Sequence, residues 1–155
     1  RRDLGVLMQT AQLFHGSVRD NLLLGAPQVA DDAAIAALRM AGAESFLAAS
    51  PRGLDTTILE GGRGLSGGQR QALLLARTLL RDTPVVLLDE PTASYDELSE
   101  RTAIAALQPW MRGRTLIVAT HRPALLALVD RIVVLDGGRV AMDGDKAKVL
   151  GALRG

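Results

Sequence analysis

No cysteine occurs among the 155 residues. Disulfides, thiolate metal centres and cysteine nucleophiles are therefore excluded. Aromatic side chains are nearly as scarce: one Trp, one Tyr and two Phe. That is too few rings for a base-stacking platform on single-stranded nucleic acid. Neither sign of charge is in excess, since 18 Lys+Arg against 17 Asp+Glu leaves a net charge of +1. No bulk electrostatic pull toward nucleic acid or anionic lipid is encoded, and no nucleic-acid partner is expected. Long apolar runs are also missing. Residues 124–129 form one of the longest, far short of the ~18 residues that a membrane helix needs. The opening Arg1-Arg2-Asp3 lacks the apolar segment of a signal peptide. The first residue is Arg rather than Met, so a piece of a longer protein is expected. What remains, 48% hydrophobic and 23% charged, is the composition of a folded globular domain, and the length is that of one domain.

Three short apolar runs read as strands: Val85-Val86-Leu87-Leu88, Leu116-Ile117-Val118-Ala119 and Ile132-Val133-Val134-Leu135. Their unbroken, β-branched character suits a parallel sheet covered on both faces, and all three are expected to share it. The first run stops at Asp89-Glu90 and the second at Thr120-His121. Open α/β sheets bind ligands at the carboxyl ends of their strands, so these are placements for chemistry. Helical periodicity fills the intervals. Over residues 69–81, Leu73, Ala76 and Leu80 share one face while Arg70, Arg77 and Arg81 share another, expected to be solvated. Residues 97–107 form the crossover between the first two strands. Shorter helices are expected over 123–129 and 145–153, with a turn at Asp136-Gly137-Gly138-Arg139. The first half is mostly helical: 17–23, 31–41 with Asp31 or Asp32 as N-cap, and 44–49.

Two strings carry the chemistry. In Leu65-Ser66-Gly67-Gly68-Gln69, Ser66 and Gln69 have the spacing of a capping box that opens a helix. Gly67 and Gly68 lack a Cβ, so a ligand can approach the backbone. The free N–H groups of a helix start attract anions, phosphate above all. An ordinary glycine-rich helix start has the same appearance. The second string runs through Val85 to Asp89-Glu90-Pro91-Thr92. An isolated Asp-Glu pair is ordinarily a solvated strand end, but this apolar run sets the acids at the sheet's carboxyl edge. His121, at the next strand tip, can donate to a phosphate oxygen. His15 has no such context and reads as structural or surface.

In order and spacing these strings resemble an ATP-binding cassette (ABC) nucleotide-binding domain of the exporter type. Met8-Gln9-Thr10-Ala11-Gln12-Leu13-Phe14 resembles the Q-loop, and Ala93-Ser94-Tyr95-Asp96 the D-loop. Ser17-Val18-Arg19-Asp20-Asn21-Leu22 resembles the exporter segment that follows the Q-loop. A narrower likeness to bacterial type I protein-secretion ATPases lies in Leu22-Leu23-Leu24-Gly25-Ala26-Pro27, in Pro51-Arg52-Gly53-Leu54-Asp55, in Thr120-His121-Arg122 and in the stretch from Asp143 to Leu150. The resemblance implies an α/β fold: a P-loop NTPase-like ABC ATPase core, here partial and with a mostly parallel sheet, and an inserted helical subdomain. Residues 15–80 would be that helical subdomain with the signature motif. Residues 81–155 would be the C-terminal part of the core. ATP and Mg²⁺ are the implied ligands. Asp89 would hold the metal and Glu90 would act as general base. His121 would sense the γ-phosphate, and Gln9 would contact Mg²⁺ or the water. Ser66, Gly67, Gly68 and Gln69 would bind ATP held mainly by the opposite protomer, and Asp96 would make a contact across the dimer. Implied partners are the transmembrane domains of an exporter and a second nucleotide-binding domain, as homodimer or pseudo-dimer. The implied location is the cytoplasmic face of the bacterial inner membrane.

Departures from the pattern matter equally. The phosphate-cradling G-x-x-x-x-G-K-S/T occurs nowhere in the 155 residues. The sequence thus reads as the C-terminal two-thirds of such a domain, without its Walker A segment. On its own it is expected to hydrolyse ATP poorly, and its sheet to expose edges and apolar surface. Tyr95 stands where the family has a small aliphatic residue, and Trp110 reads as a packing anchor. Two other functions stay open. One is a non-catalytic remnant or interaction module. The other is a DNA-repair-type ATPase, disfavoured because the segment between Gln9 and Leu65 has neither heptads nor cysteine.

Overall fold

A computed structural model describes residues 3–24 and 26–154. Gly25, within one of the secretion-type stretches, lies outside the described residues, as do Arg1 and Arg2. In chain order the elements are β1 (Leu4–Leu7), β2 (Gly16–Ser17), α1 (Val18–Leu23), α2 (Asp31–Met40), α3 (Glu44–Ala48), β3 (Thr57–Ile58) and α4 (Gly67–Leu79). There follow β4 (Val85–Asp89), α5 (Glu97–Trp110), β5 (Thr115–Ala119), β6 (Arg131–Asp136), β7 (Arg139–Asp145) and α6 (Lys146–Arg154). Single 3₁₀ turns lie at Gly53–Asp55 and Glu60–Gly62, and a longer one at Pro123–Leu128.

The main sheet is parallel, in the order β1–β4–β5. Its central strand, β4, buries Val86 and Leu88 completely. β1 has no counterpart in the sequence reading, because Leu4-Gly5-Val6-Leu7 is short and broken by glycine. That glycine is required: a Cβ at Gly5 would lie 2.7 Å from Thr83 Oγ1. Parallel pairing brings the ends of β1, β4 and β5 to one edge.

The third apolar run does not join this sheet. β6 pairs antiparallel with β7 instead. The cause is local: Gly137 and Gly138 both have positive φ, 51° and 75°, and two such residues return the chain as a tight hairpin. A groove of about 920 Å³ separates β5 from β6, lined by Leu116, Val118, Leu126, Ile132 and Val134 among others. Among the described residues, β5 has a strand neighbour only on its β4 side. Ile117, Val133 and Leu135 stay more than half exposed. The expected sheet edge and apolar surface are found here.

The helices between β1 and β4 supply most of the core. α4 is buried nearly all round, with Leu73, Leu75 and Ala76 fully enclosed in one core with Leu22 of α1 and Leu38 of α2. Each such leucine stabilises the fold by ~1.5–3 kcal/mol relative to exposure. The arginine face of α4 is only partly solvated. Arg77 is half-buried and its Nη2 donates to the Gln12 carbonyl at 3.1 Å, while its buried Nη1 has no hydrogen-bond partner among the described residues. Burial lowers its pKa from the ordinary value.

The caps explain the boundaries. Ser17 caps α1 through a reciprocal capping box with Asp20. α2 begins at Asp31, but its N-cap is Ala30, not either aspartate. Asp31 and Asp32 occupy the first turn, where they favour the helix dipole, and Asp31 turns outward to Arg19. α5 runs three residues beyond the expected end at Leu107. Pro109 is accommodated in its last turn, and the Met111 N–H still reaches the Leu107 carbonyl at 2.9 Å.

Candidate functional site

The parallel sheet delivers Gln9, Asp89, Glu90, Thr120 and His121 to its carboxyl edge. Gln9 lies exposed in the turn after β1. Asp89 closes β4 half-buried, and no hydrogen bond engages its carboxylate among the described residues. Glu90 is held tightly. Its φ of 47° is left-handed, a conformation uncommon outside glycine, and its N–H donates to the Ala119 carbonyl at 2.9 Å. Its Oε1 accepts the His121 backbone N–H at 3.0 Å and lies 2.7 Å from His121 Nδ1. Its Oε2 accepts the Thr120 hydroxyl at 3.2 Å. Burial acts to raise the Glu90 pKa, but the bonds from His121 and Thr120 outweigh it and hold the carboxyl below the ordinary range. His121 is 78% exposed, so its ring is open to solvent on the side away from Glu90.

The second group surrounds the start of α4. The Ser66 hydroxyl accepts the Gln69 N–H at 3.1 Å, and the Gln69 Oε1 accepts the Ser66 N–H at 2.9 Å. This is the reciprocal capping box that the spacing implies. Ser66 and Gly67 are exposed, while Gly68 and Gln69 are half-buried. The glycines sit against Ser94: a Cβ on Gly67 would lie 3.2 Å from Ser94 Cβ, and one on Gly68 3.1 Å from the Ser94 carbonyl. A pocket of about 190 Å³ opens beside them, lined by Gly42, Phe46, Ser66, Gly68, Tyr95 and Asp96 among others. Asp96 spends its carboxylate on capping α5. It accepts the Ser99 N–H at 2.8 Å and the Ser99 hydroxyl at 2.7 Å, and these bonds lower its pKa.

Between the two groups lie side chains whose partners the sequence does not reveal. The Gln71 amide donates to the Glu90 carbonyl at 2.5 Å and accepts the Ser94 N–H at 2.7 Å. Arg122 Nη2 donates to the carbonyls of Ala93 and Tyr95, each at 3.2 Å. Its Nη1 is 3.0 Å from Glu100 Oε2. Glu100 is buried, and its other oxygen accepts the Thr92 hydroxyl at 2.5 Å. The Tyr95 hydroxyl donates to the Ala41 carbonyl at the end of α2, at 2.5 Å, and burial pushes its pKa well up. Polar residues one or two places beyond a motif give no periodic signal, so only the folded chain reveals them. Among the described residues, no three His, Asp or Glu side chains converge on a metal position, and no helix is long and apolar enough to cross a membrane.

Residues 1–93 match the protein family described as ABC transporter. The cyclolysin secretion/processing ATP-binding protein CyaB of Bordetella pertussis is 43% identical over 152 residues, 98% of this chain and 21% of that protein. The ATP-dependent lipid A-core flippase of Albidiferax ferrireducens is 42% identical over 153 residues, 98% of this chain and 26% of that protein. The solved structure of a bacterial Atm1-family ABC exporter with ATP bound superposes with a TM-score of 0.89 and 34% identity. That superposition covers 98% of this chain and 27% of the other. The chain thus spans about a quarter or less of the length of these relatives.

Proposed function

This chain belongs to the ABC transporter family, and we propose from that premise that it forms part of the ATPase of a membrane exporter. ATP would be sandwiched between two such domains, as homodimer or pseudo-dimer, docked on transmembrane domains at the cytoplasmic face of the bacterial inner membrane. Residues 15–80 serve as the helical subdomain and 81–155 as the C-terminal part of the α/β core. The likeness to an ATP-bound exporter and to a protein-secretion ATPase supports this reading.

The observation that carries it is the Glu90–His121 pair beside an unengaged Asp89 at one sheet edge. Asp89, with Gln9, fits Mg²⁺, which binds through one or two carboxylates plus substrate phosphates rather than an all-protein cage. When bound, the metal neutralises phosphate charge. Glu90 orients the attacking water and accepts its proton. Oε1 is occupied by His121, whereas Oε2 holds one long bond and keeps acceptor capacity. While His121 Nδ1 stays on Glu90, the carboxylate is a weak base. Turning that imidazole toward a phosphate oxygen removes the restraint and raises its basicity. Gly67 and Gly68 offer free helix N–H groups to the phosphates of the opposite protomer's ATP, while Ser66 and Gln69, whose N–H groups close the capping box, hold that helix start in place and present their side chains beside it. Asp96 stands at the same face.

The test is Glu90→Gln in the full-length ATPase. Loss of a general base costs about 10²–10⁴-fold in turnover, and ATP should then accumulate in a stable closed dimer. Hydrolysis at the native rate would remove Glu90 from the role and overturn the reading.

A further inference from the structure

The geometry points to Gln71 as a positioning residue that aims Glu90 from the signature helix; the inference rests on the function proposed above. Gln71 is the fifth residue of α4, half-buried, and projects onto the turn that follows β4. Its Nε2 donates to the Glu90 carbonyl and its Oε1 accepts the Ser94 N–H. A flipped amide would set oxygen against oxygen and donor against donor, so both partners together fix the orientation. One side chain thereby bridges the two ends of the 90–94 turn.

That bridge acts where the backbone most needs holding. Glu90 has a left-handed φ of 47° without being glycine, and such conformations persist only when their surroundings over-determine them. On one side the β5 carbonyl of Ala119 holds the Glu90 N–H. On the other, Gln71 supplies the side-chain hold on the Glu90 carbonyl. With the Ala93 N–H, which also reaches the Glu90 carbonyl at 3.3 Å, these restraints fix the Glu90 backbone from which the carboxylate extends to His121 and Thr120. Arg122 restrains only the far part of the segment, at Ala93 and Tyr95.

The consequence is a link between two sites. Ser66, Gly67 and Gly68 open the same rigid helix little more than one turn before Gln71. In the proposed dimer they face one ATP, while Glu90 acts on the other. A shift of α4 on closure moves Gln71, and with it the Glu90 carbonyl and Ser94 N–H.

The experiment compares Gln71→Met and Gln71→Glu with the native full-length ATPase. The first removes both bonds at similar volume. The second is isosteric, keeps the acceptor for Ser94 and sets an anion against the Glu90 carbonyl, so it stays informative if the first fails to fold. A misplacement near 1 Å costs about 10²-fold, so kcat should fall about 10- to 100-fold. KM for ATP should stay within about twofold, because uniform binding is untouched. Native kcat in either folded variant overturns the inference, as does a raised KM with kcat unchanged, which would place Gln71 in nucleotide binding. Glu90→Gln is measured in parallel. If it turns over normally, the proposed function fails and this inference with it. If it is inactive while the Gln71 variants match the native enzyme, only the inference fails.

Discussion

Replacing Gly68 by alanine sets two known effects against each other. Alanine in place of glycine inside a helix gains up to about 1 kcal/mol. At Gly68 the added Cβ would stand 3.1 Å from the Ser94 carbonyl oxygen. Ser94 has little freedom to retreat, because its N–H is fixed to Gln71 at 2.7 Å and the Ala93 and Tyr95 carbonyls flanking it are held by Arg122. Overpacking of this kind costs about 1–3 kcal/mol, so the net effect is destabilisation by roughly 0.5–2 kcal/mol. Gly151, in α6, is the matched comparison, since a Cβ there meets nothing within 4 Å. Gly151→Ala should therefore stabilise its helix by about 0.5–1 kcal/mol. Amide hydrogen exchange, read separately over α4 and α6, reports each helix's own opening free energy. Protection in α4 should fall about 2- to 30-fold in Gly68→Ala, and protection in α6 should rise in Gly151→Ala. If α4 gains protection as α6 does, the Ser94 turn yields freely. The tight seat between signature glycines and the 90–95 segment would then be refuted.

Two further outcomes follow from buried or paired groups. Asn21 is almost fully buried; it accepts the Phe14 N–H at 3.0 Å and donates to the carbonyls of Phe14 and Ser17 at 2.9 and 3.0 Å. Asn21→Leu strands three backbone groups and should cost at least about 2 kcal/mol, seen as a lower urea midpoint by Trp110 fluorescence; an unchanged midpoint would show that the loop re-pairs. The Glu90 carboxyl is held below its ordinary range, so its stabilising contribution is complete at neutral pH and lost only as pH falls through that lowered value. A carboxyl ¹³C titration should find the Glu90 midpoint below the ordinary glutamate value. His121→Ala should raise it, and an unmoved midpoint would mean that the ring bond does not set it.

The α4 start was legible because its cue is chemical and local: Ser66 and Gln69 stand three apart and cap each other as that spacing implies. β4 and β5 were legible because an unbroken apolar run ending in Asp-Glu or Thr-His has few other readings. β6 was read correctly as a strand and placed wrongly. A run of Ile-Val-Val-Leu does not say which neighbour it pairs with, and the Gly137-Gly138 turn outweighed its parallel-like composition. β1 left too short a signal around Gly5. Asp31 and Asp32 were misread as caps because an acid at a helix start serves the dipole as well from the first turn as from the N-cap. Arg77 was read from periodicity as solvated, yet its guanidinium found the Gln12 carbonyl across the helix edge. The partners of Gln71, Arg122 and Glu100 were illegible for a different reason: each lies far along the chain.

The groove between β5 and β6 is also a seam in stability. Beyond Met111, only Leu125 and Val149 are buried apolar side chains among the described residues. The hairpin and α6 therefore hang on hydrogen bonds and ion pairs such as Arg131–Asp143, at 2.7 Å, and exposed pairs of that kind contribute ~0–1 kcal/mol. The two sides of the groove are thus unequal partners. The β1–β4–β5 side is continuous with the helical core through the buried Val86 and Leu88 of β4. The far side, with so little buried apolar surface, has the character of a segment whose local opening costs less than global unfolding.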